Sequence, residues 1–287
     1  MERDLWKMIV AEVRNVKGRC NPRWTFAVED VVLAYFWAVL HDRPVSWACR
    51  RCNWPVGAWR QPLPTPSTMS RRLRTTPVRE RIEAVERSVL RQPEATWVHA
   101  VDGKALPVSR HSRDRDARFG RGAGGMDNGY KLHVIYGKNG SIAAWAVEPL
   151  NVDERVVARR LAQQAKVDGY VMGAAYYDDN ALYEVVRKHQ GQLLTPRRYG
   201  AGRGLGHHRH SPARLRAIHL TERSGSAFGA GLLHWRGDIE RFFGTLAGSH
   251  FGLDHLPPWV RTLPRVRLWV QAKLIIDRLA HQRRKTG

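Results

Sequence analysis

The chain has 287 residues, and its 48 lysine and arginine residues outnumber 26 aspartate and glutamate residues to give a formal net charge of +22. Such an excess predicts a polyanionic partner, above all a nucleic acid. No apolar run reaches the roughly 18 residues of a membrane span, no hydrophobic segment follows the first charges as in a signal peptide, and three cysteines suit a reducing cytosol better than a disulfide framework.

Residues 1–92 predict an all-helical domain. The stretch from residue 28 to residue 40 is apolar on nearly every side, which indicates a buried helix. A second helix is predicted from Val45, directly after a proline, and a short basic helix is predicted over residues 67–74, after a Ser or Thr cap. Helices joined by turns are typical of a helix-turn-helix DNA-binding domain, but a plain helical bundle gives the same pattern.

From residue 93 onward, strands and helices alternate. Residues 96–101 are mostly β-branched or aromatic, which predicts a buried strand with Asp102 at its end. The glycine-rich stretch 120–125 predicts a mobile loop beside that acid. Asn139-Gly140 is a strong turn signal within a predicted hairpin. The predicted elements that follow are hairpin strands at 130–136 and 141–147, a helix at 153–166, a strand at 170–173, a helix at 180–189 and a strand at 192–195.

A second acidic residue, Glu240, lies in a predicted helix. Apolar side chains recur at helical spacing along one face of this segment, at Ile239, Phe242, Phe243 and Leu246. Arg236 lies four residues before Glu240, so that the two side chains share a neighbouring face. Taken singly, this pair suggests a solvated salt bridge, and Asp102 suggests a turn or cap residue. Residues 260–284 predict a further helix, with an apolar stripe opposite basic residues that include Lys273.

Basic residues are clustered along the chain, which a uniformly solvated surface explains poorly. Arginine dominates the excess, and its planar guanidinium group can bind phosphate oxygens in a bidentate manner. The clusters lie at 71–74, 110–121, 197–198, 203–216 and 283–285.

Four strings in this sequence carry a resemblance to a known family. They are Asp102-Gly103-Lys104, Gly129-Tyr130-Lys131-Leu132-His133-Val134, Tyr177-Asp178-x-Asn180-Ala181-Leu182-Tyr183 and Arg236-x-x-x-Glu240-Arg241-x-Phe243. Over roughly residues 96 to 285, the chain resembles bacterial insertion-sequence transposases of the DDE class, in the subgroup with a Tyr-x-x-Arg-x-x-x-Glu-x6-Lys signature. The β-β-β-α-β-α-β order of the predicted elements is the one that a ribonuclease H-like fold requires.

The resemblance implies a domain organisation. Residues 93–287 would form the α/β catalytic domain, a ribonuclease H-like mixed sheet with flanking helices and a C-terminal basic helix. Residues 1–92 precede the part of the chain that carries the resemblance, and their all-α pattern makes them the candidate DNA-binding domain. A basic inserted loop at about 197–232 would contact DNA. The remaining implied partners are double-stranded DNA, as terminal repeats and target, and a second copy of the chain as a homodimer on that DNA. The implied location is the bacterial cytosol, at the nucleoid.

The resemblance also implies a chemistry, namely metal-dependent DNA strand cleavage followed by attack of a 3′ hydroxyl group on target DNA. Two Mg²⁺ or Mn²⁺ ions would activate the nucleophile and the leaving oxygen. Asp102 would bridge both ions, and Glu240 would bind one of them. The residues expected to contact DNA are Lys104, Lys131, Arg236, Arg241, Arg71, Arg72, Arg197, Arg198 and Lys273.

The chain departs from the family pattern at three positions. The middle Asp of the string Gly-Asp-Ala-x-Tyr-Asp-Ser-Asn falls on Ala174, and the signature's Tyr and Lys fall on Leu233 and Ala247. Asp178 and Asp179 are the nearby substitutes, but each residue of an extended strand advances about 3.3 Å, which places both too far along unless the chain turns. Alternatively, one of them caps the helix that is predicted from residue 180.

Two hypotheses follow for the function, and catalytic activity stays open between them. In the first, the protein is a working transposase in which Asp178 or Asp179 replaces the missing ligand. In the second, it is a degenerate copy that binds DNA without cutting it. A basic RNA-binding protein with no role in transposition is a third interpretation of the charge.

Overall fold

The computed structural model describes residues 2–16, 24–57, 59, 62–91, 96–122, 124–199, 205, 210–222 and 226–286. The chain divides into two compact units, one formed by residues 1–91 with 246–287 and the other by residues 92–245. Most of the basic stretch between residues 200 and 209 lies outside the described residues. No helix in the described parts is both long and apolar enough to cross a bilayer.

The helices and strands have the following bounds. The helices are α1 (Glu2–Asn15), α2 (Val28–Leu40), α3 (Val45–Ala48), α4 (Pro66–Arg72), α5 (Thr76–Leu90), α6 (Glu154–Ala165), α7 (Asn180–Lys188), α8 (Pro212–Glu222), α9 (Ser226–His234), α10 (Gly237–Gly248) and α11 (Leu263–Thr286). The strands are β1 (Val98–Pro107), β2 (Arg118–Gly122), β3 (Gly125–Gly137), β4 (Ile142–Pro149), β5 (Gly169–Gly173) and β6 (Gly191–Leu194).

The unit that contains the N-terminal residues is helical, as predicted. Its central helix α2 is buried along nearly its whole length because almost every residue is apolar, and α1, α5 and α11 pack against it. The short basic helix α4 begins with Pro66, and the Thr65 hydroxyl oxygen caps it by accepting a hydrogen bond from the backbone nitrogen of Thr68 at 3.2 Å. The C-terminal segment from residue 246 belongs to this compact unit.

The other unit is built on a six-stranded mixed sheet. β1 pairs antiparallel with β3 and parallel with β5, and β6 continues the sheet in parallel with β5. β4 and β2 both pair antiparallel with β3. Helix α6 packs against β3 and β4, α7 and α8 pack against β6, and α9 contacts β5. This arrangement confirms the α/β, ribonuclease H-like fold class that the sequence predicts.

Strand β1 extends beyond its predicted end. Its pairing with β3 continues from His99 to Pro107, so Asp102 lies within the strand and the prediction of a strand end there was wrong. The parallel pairing with β5 nevertheless stops at Val101 opposite Gly173. Asp102 is therefore the first residue of β1 beyond the parallel part of the sheet.

Two predicted loops contain regular structure. The glycine-rich stretch 120–125 forms the end of β2, the turn and the start of β3, and Ala123 within it lies outside the described residues. Gly120 suits this strand because an added Cβ would lie 2.2 Å from the carbonyl oxygen of Leu150. The basic segment predicted as a loop at 197–232 contains α8 and the start of α9.

Candidate functional site

Three acidic side chains line one hollow of about 470 Å³ in the unit formed by residues 92–245. They are Asp102 from β1, Glu154 from the start of α6 and Glu240 from α10. Three basic side chains share its wall: Lys104, Arg121 and Lys131. Asp102 and Glu240, which the sequence singled out from distant segments, are thus brought to the same place.

Asp102 is a half-buried acid among other acids. Burial raises the pKa of its carboxyl group, and the nearby carboxylates of Glu154 and Glu240 raise it further. A hydrogen bond from the backbone of Gly103 and the charge of Arg236 act in the opposite direction. The net shift is upward, so the charged form of Asp102 is disfavoured unless a cation approaches.

Glu240 is carried by a helix that is fixed to the sheet. On α10, Ile239 is fully buried, and the ring of Phe242 stacks on Tyr136 of β3 with centroids 4.7 Å apart. The carboxylate of Glu240 is about half exposed and lies 2.9 Å from the guanidinium group of Arg236. The predicted salt bridge therefore forms at the wall of the hollow.

Glu154 is an acid that the sequence did not single out. It is the first residue of α6, directly after Asp153, whose side chain caps the helix by accepting a hydrogen bond from the backbone nitrogen of Arg155. Its carboxylate lies 2.5 Å from Nζ of Lys131 and accepts a hydrogen bond of 3.0 Å from the hydroxyl group of Tyr177. An acid in the first turn of a helix is so common that it carries no signal by itself.

Position 174 lies just beyond the sheet, after the last residue of β5. Ala174 directly follows Gly173, which pairs with Val101, the neighbour of Asp102. Its methyl group is partly buried and packs against the apolar core beneath the sheet. Ala174 and Asp102 therefore each follow the last β1–β5 pair, and the alanine offers no carboxylate at that point.

Asp178 and Asp179 are engaged in local contacts, and neither lines the hollow. Both carboxylate oxygens of Asp178 bind the guanidinium group of Arg214, at 2.6 and 2.7 Å, and one also accepts a hydrogen bond from the backbone nitrogen of Arg198. Asp179 caps α7 by accepting a hydrogen bond from the backbone nitrogen of Leu182 at 3.1 Å. These contacts match the capping alternative for Asp179.

The basic residues predicted at the site differ in their exposure. Lys104 is partly exposed at the wall of the hollow. Lys131 is buried, and it binds Glu154 and the carbonyl oxygen of Arg121. On α10, Arg241 is paired with Asp238. Lys104 is therefore open to a phosphate group, whereas Lys131 is bound to groups of its own chain.

The other basic residues predicted to contact DNA lie in different surroundings. Arg71 is exposed, but Arg72 is buried, with its guanidinium group 3.9 Å from the ring centroid of Trp24. Lys273 is almost fully buried and lies 2.8 Å from Asp42. Two more predicted contacts lie after β6: Arg197 is paired with Glu222, and Arg198 is exposed.

A divalent cation, which the resemblance implies, fits the hollow by donor chemistry. Hard cations prefer carboxylate oxygens, and three carboxylates line this wall. Among the described residues, no three His, Cys, Asp or Glu side chains lie close enough together to hold a metal ion. Glu154 is paired with Lys131, and Glu240 is paired with Arg236. Both ion pairs have to open before the carboxylates can bind the same divalent ion.

Comparison with known proteins identifies the family. The model of the transposase DDE domain matches residues 93–276, a range that includes all six strands and the three acids of the hollow. A search of the curated proteins finds no match to the chain. Since the match covers more than half of its length, the chain belongs to the transposase DDE domain family.

Proposed function

We propose that this protein is the DNA transposase of an insertion sequence, which cuts the DNA at the ends of its element and joins them to target DNA. The observation that carries the proposal is the meeting of Asp102 and Glu240 in one hollow, within a chain whose net charge of +22 favours a polyanionic substrate. The family match supplies the class of reaction.

The residues of the hollow have separable roles in this proposal. Asp102 and Glu240 hold the divalent ion, Mg²⁺ or Mn²⁺, whose chemistry is to activate the attacking oxygen and stabilise the leaving one. Lys104 and Arg121, on the same wall, bind phosphate oxygens beside the scissile bond. Arg236 holds the carboxylate of Glu240 in place across one helical turn until the ion is bound.

The partners and location follow from the same proposal. Terminal repeats and target DNA are the substrates, and two copies of the chain pair two element ends. Arg71 and Arg198, which are both exposed, bind the DNA backbone outside the hollow. The protein acts on the nucleoid in the bacterial cytosol.

A nicking assay tests this function. The substrate is a duplex that carries the DNA flanking the coding sequence, incubated with Mg²⁺ or Mn²⁺ and with wild-type protein, Asp102→Asn, Glu240→Gln or Ala174→Asp. We expect metal-dependent nicking by the wild type, loss of it in the first two variants and an increase in Ala174→Asp. Nicking that survives Asp102→Asn would contradict the proposal. Nicking by Ala174→Asp alone would identify the natural protein as a DNA-binding protein that does not cut.

A further inference from the structure

We propose that Glu154 supplies the third carboxylate of the metal site, in place of the acid that position 174 lacks, by exchanging Lys131 for the bound divalent ion. This inference rests on the proposed function, because it concerns the same hollow. It assigns a ligand role to a residue outside the Asp102 and Glu240 pair.

The position of Glu154 supports this role. Its carboxylate lines the same hollow as Asp102 and Glu240, and it is close enough to Asp102 to act on that carboxyl group electrostatically. It also accepts a hydrogen bond from Tyr177, a ring that packs against Gly173 at the end of β5. Glu154 is thus linked through the side chain of Tyr177 to Gly173, the residue before position 174.

The other acids near position 174 are less suitable. The side chain of Asp178 is only 3% exposed, and its two carboxylate oxygens accept hydrogen bonds from two guanidinium nitrogens of Arg214. Asp179 is needed at the first turn of α7. Glu154, by contrast, has a side chain that is 22% exposed and faces the hollow.

Opening the ion pair between Glu154 and Lys131 separates two largely buried charges, so both groups need other partners. The ammonium group of Lys131 also donates a hydrogen bond of 3.1 Å to the carbonyl oxygen of Arg121, which it keeps when Glu154 turns away. The ammonium group stays beside the hollow, where it would donate a hydrogen bond to a phosphate group of the substrate. A divalent ion offers Glu154 a stronger partner than a single ammonium group does.

His133 is a buried polar residue beside Gly103, although it is not one of the residues that line the hollow. The side chain of His133 is 99% buried, and neither of its ring nitrogens has a hydrogen-bond partner among the described residues. Its Nδ1 would lie 3.4 Å from a Cβ atom added to Gly103, which lines the hollow. A buried polar group is ordinarily paired, so this imidazole is an exception within the described part of the chain.

Binding of Mn²⁺ to the DNA-free protein tests the proposal without reference to catalysis. Electron paramagnetic resonance measures the free ion during titration of wild type, Asp102→Asn, Glu154→Gln, Lys131→Met and Glu148→Gln. Glu148 on β4 is the matched control. It is a buried glutamate that is paired with Arg160 of α6, and it does not line the hollow.

We expect Glu154→Gln to weaken Mn²⁺ binding by about tenfold or more, and Glu148→Gln to leave it unchanged. Lys131→Met should tighten binding by removing the competing cation, and most of this gain should vanish when Glu154→Gln is also present. Adding Ala174→Asp to Glu154→Gln should restore binding. Unfolding curves measured on each variant establish that it is folded, and the opposite direction of the Lys131→Met effect cannot arise from misfolding.

Two outcomes would overturn the inference. One is Mn²⁺ binding that depends on Asp102 but is the same in wild type and Glu154→Gln. The other is an equal effect of Lys131→Met with and without Glu154. Failure of the proposed function looks different, since Mn²⁺ binding would then require Asp102 and Glu154 while the wild type cut no DNA under any condition.

Discussion

At the level of single residues, the carboxyl group of Asp102 lies in surroundings that disfavour its charged form. Burial is the largest cause of its raised pKa, and two acidic neighbours add to it. The folded state therefore binds the proton more tightly than the unfolded state does. Folding is penalised at every pH above the ordinary pKa of 3.8, and the penalty is fully developed above the raised value.

This penalty predicts that Asp102→Asn stabilises the metal-free protein at neutral pH. The asparagine has no charge to bury. The melting temperature of the variant protein in the presence of EDTA should therefore exceed that of the wild type at pH 7. The difference should shrink as the pH falls through the raised pKa and vanish below 3.8, where the carboxyl group is protonated in both states. Thermal unfolding followed by circular dichroism gives the comparison, and a less stable variant at pH 7 would contradict the account.

Asp178 provides a second prediction at this scale. Its bidentate contact with Arg214 is nearly buried, so Asp178→Asn leaves a guanidinium group without its counter-charge. We expect a loss of about 3 kcal/mol in the free energy of unfolding, with Mn²⁺ affinity unchanged. If Asp178 instead replaces the missing ligand, Mn²⁺ binding would fall in this variant by as much as in Glu240→Gln.

At the scale of secondary-structure elements, the hairpin of β2 and β3 forms part of the hollow's wall through Arg121 and Gly122. Gly120 approaches the backbone of Leu150 so closely that an added Cβ would lie 2.2 Å from its oxygen. Gly124, in the turn, has nothing within 4 Å of the same position. The two glycines therefore form a matched pair for substitution.

Gly120→Ala should lower the free energy of unfolding by roughly 1 to 3 kcal/mol, because the backbone has to move to admit the methyl group. Gly124→Ala should have little effect on stability. Urea denaturation of both variants measures the difference. Equal stability of the two would show that the hairpin does not pack on Leu150 in solution.

The elements were largely predictable from the sequence, whereas only part of the site, including Asp102 and Glu240, was. Helix α2 follows from a continuous apolar run, and the β3–β4 hairpin follows from Asn139-Gly140. The length of β1 could not be foreseen, since Asp102 and Gly103 interrupt its apolar pattern while the partner strand β3 continues. Glu154 was missed because only the packing of α6 on the sheet brings it to Asp102.

At the scale of the whole molecule, charge predicts how binding to DNA responds to salt. With a net charge of +22, nonspecific affinity for duplex DNA should fall steeply as salt rises, because each phosphate contact releases a counterion. Neighbouring arginines on α4 provide a test of this account, since Arg71 is exposed and Arg72 is buried against Trp24.

Arg71→Ala should weaken DNA binding and reduce the salt slope by about one contact. Arg72→Ala should instead lower stability and leave the slope of the folded protein unchanged. Fluorescence anisotropy over a series of salt concentrations measures both slopes. A larger change of slope for Arg72→Ala than for Arg71→Ala would contradict this assignment of the two side chains.

The central claim is that Asp102, Glu154 and Glu240 surround one divalent ion. Fe²⁺ bound in place of Mg²⁺, with ascorbate and hydrogen peroxide, cuts the polypeptide near the ion, and mass spectrometry locates the cuts. We predict cuts near residue 102, at the start of α6 and near residue 240, all suppressed by excess Mg²⁺ and by Asp102→Asn. Cuts confined to other segments, or unchanged by Asp102→Asn, would contradict the account.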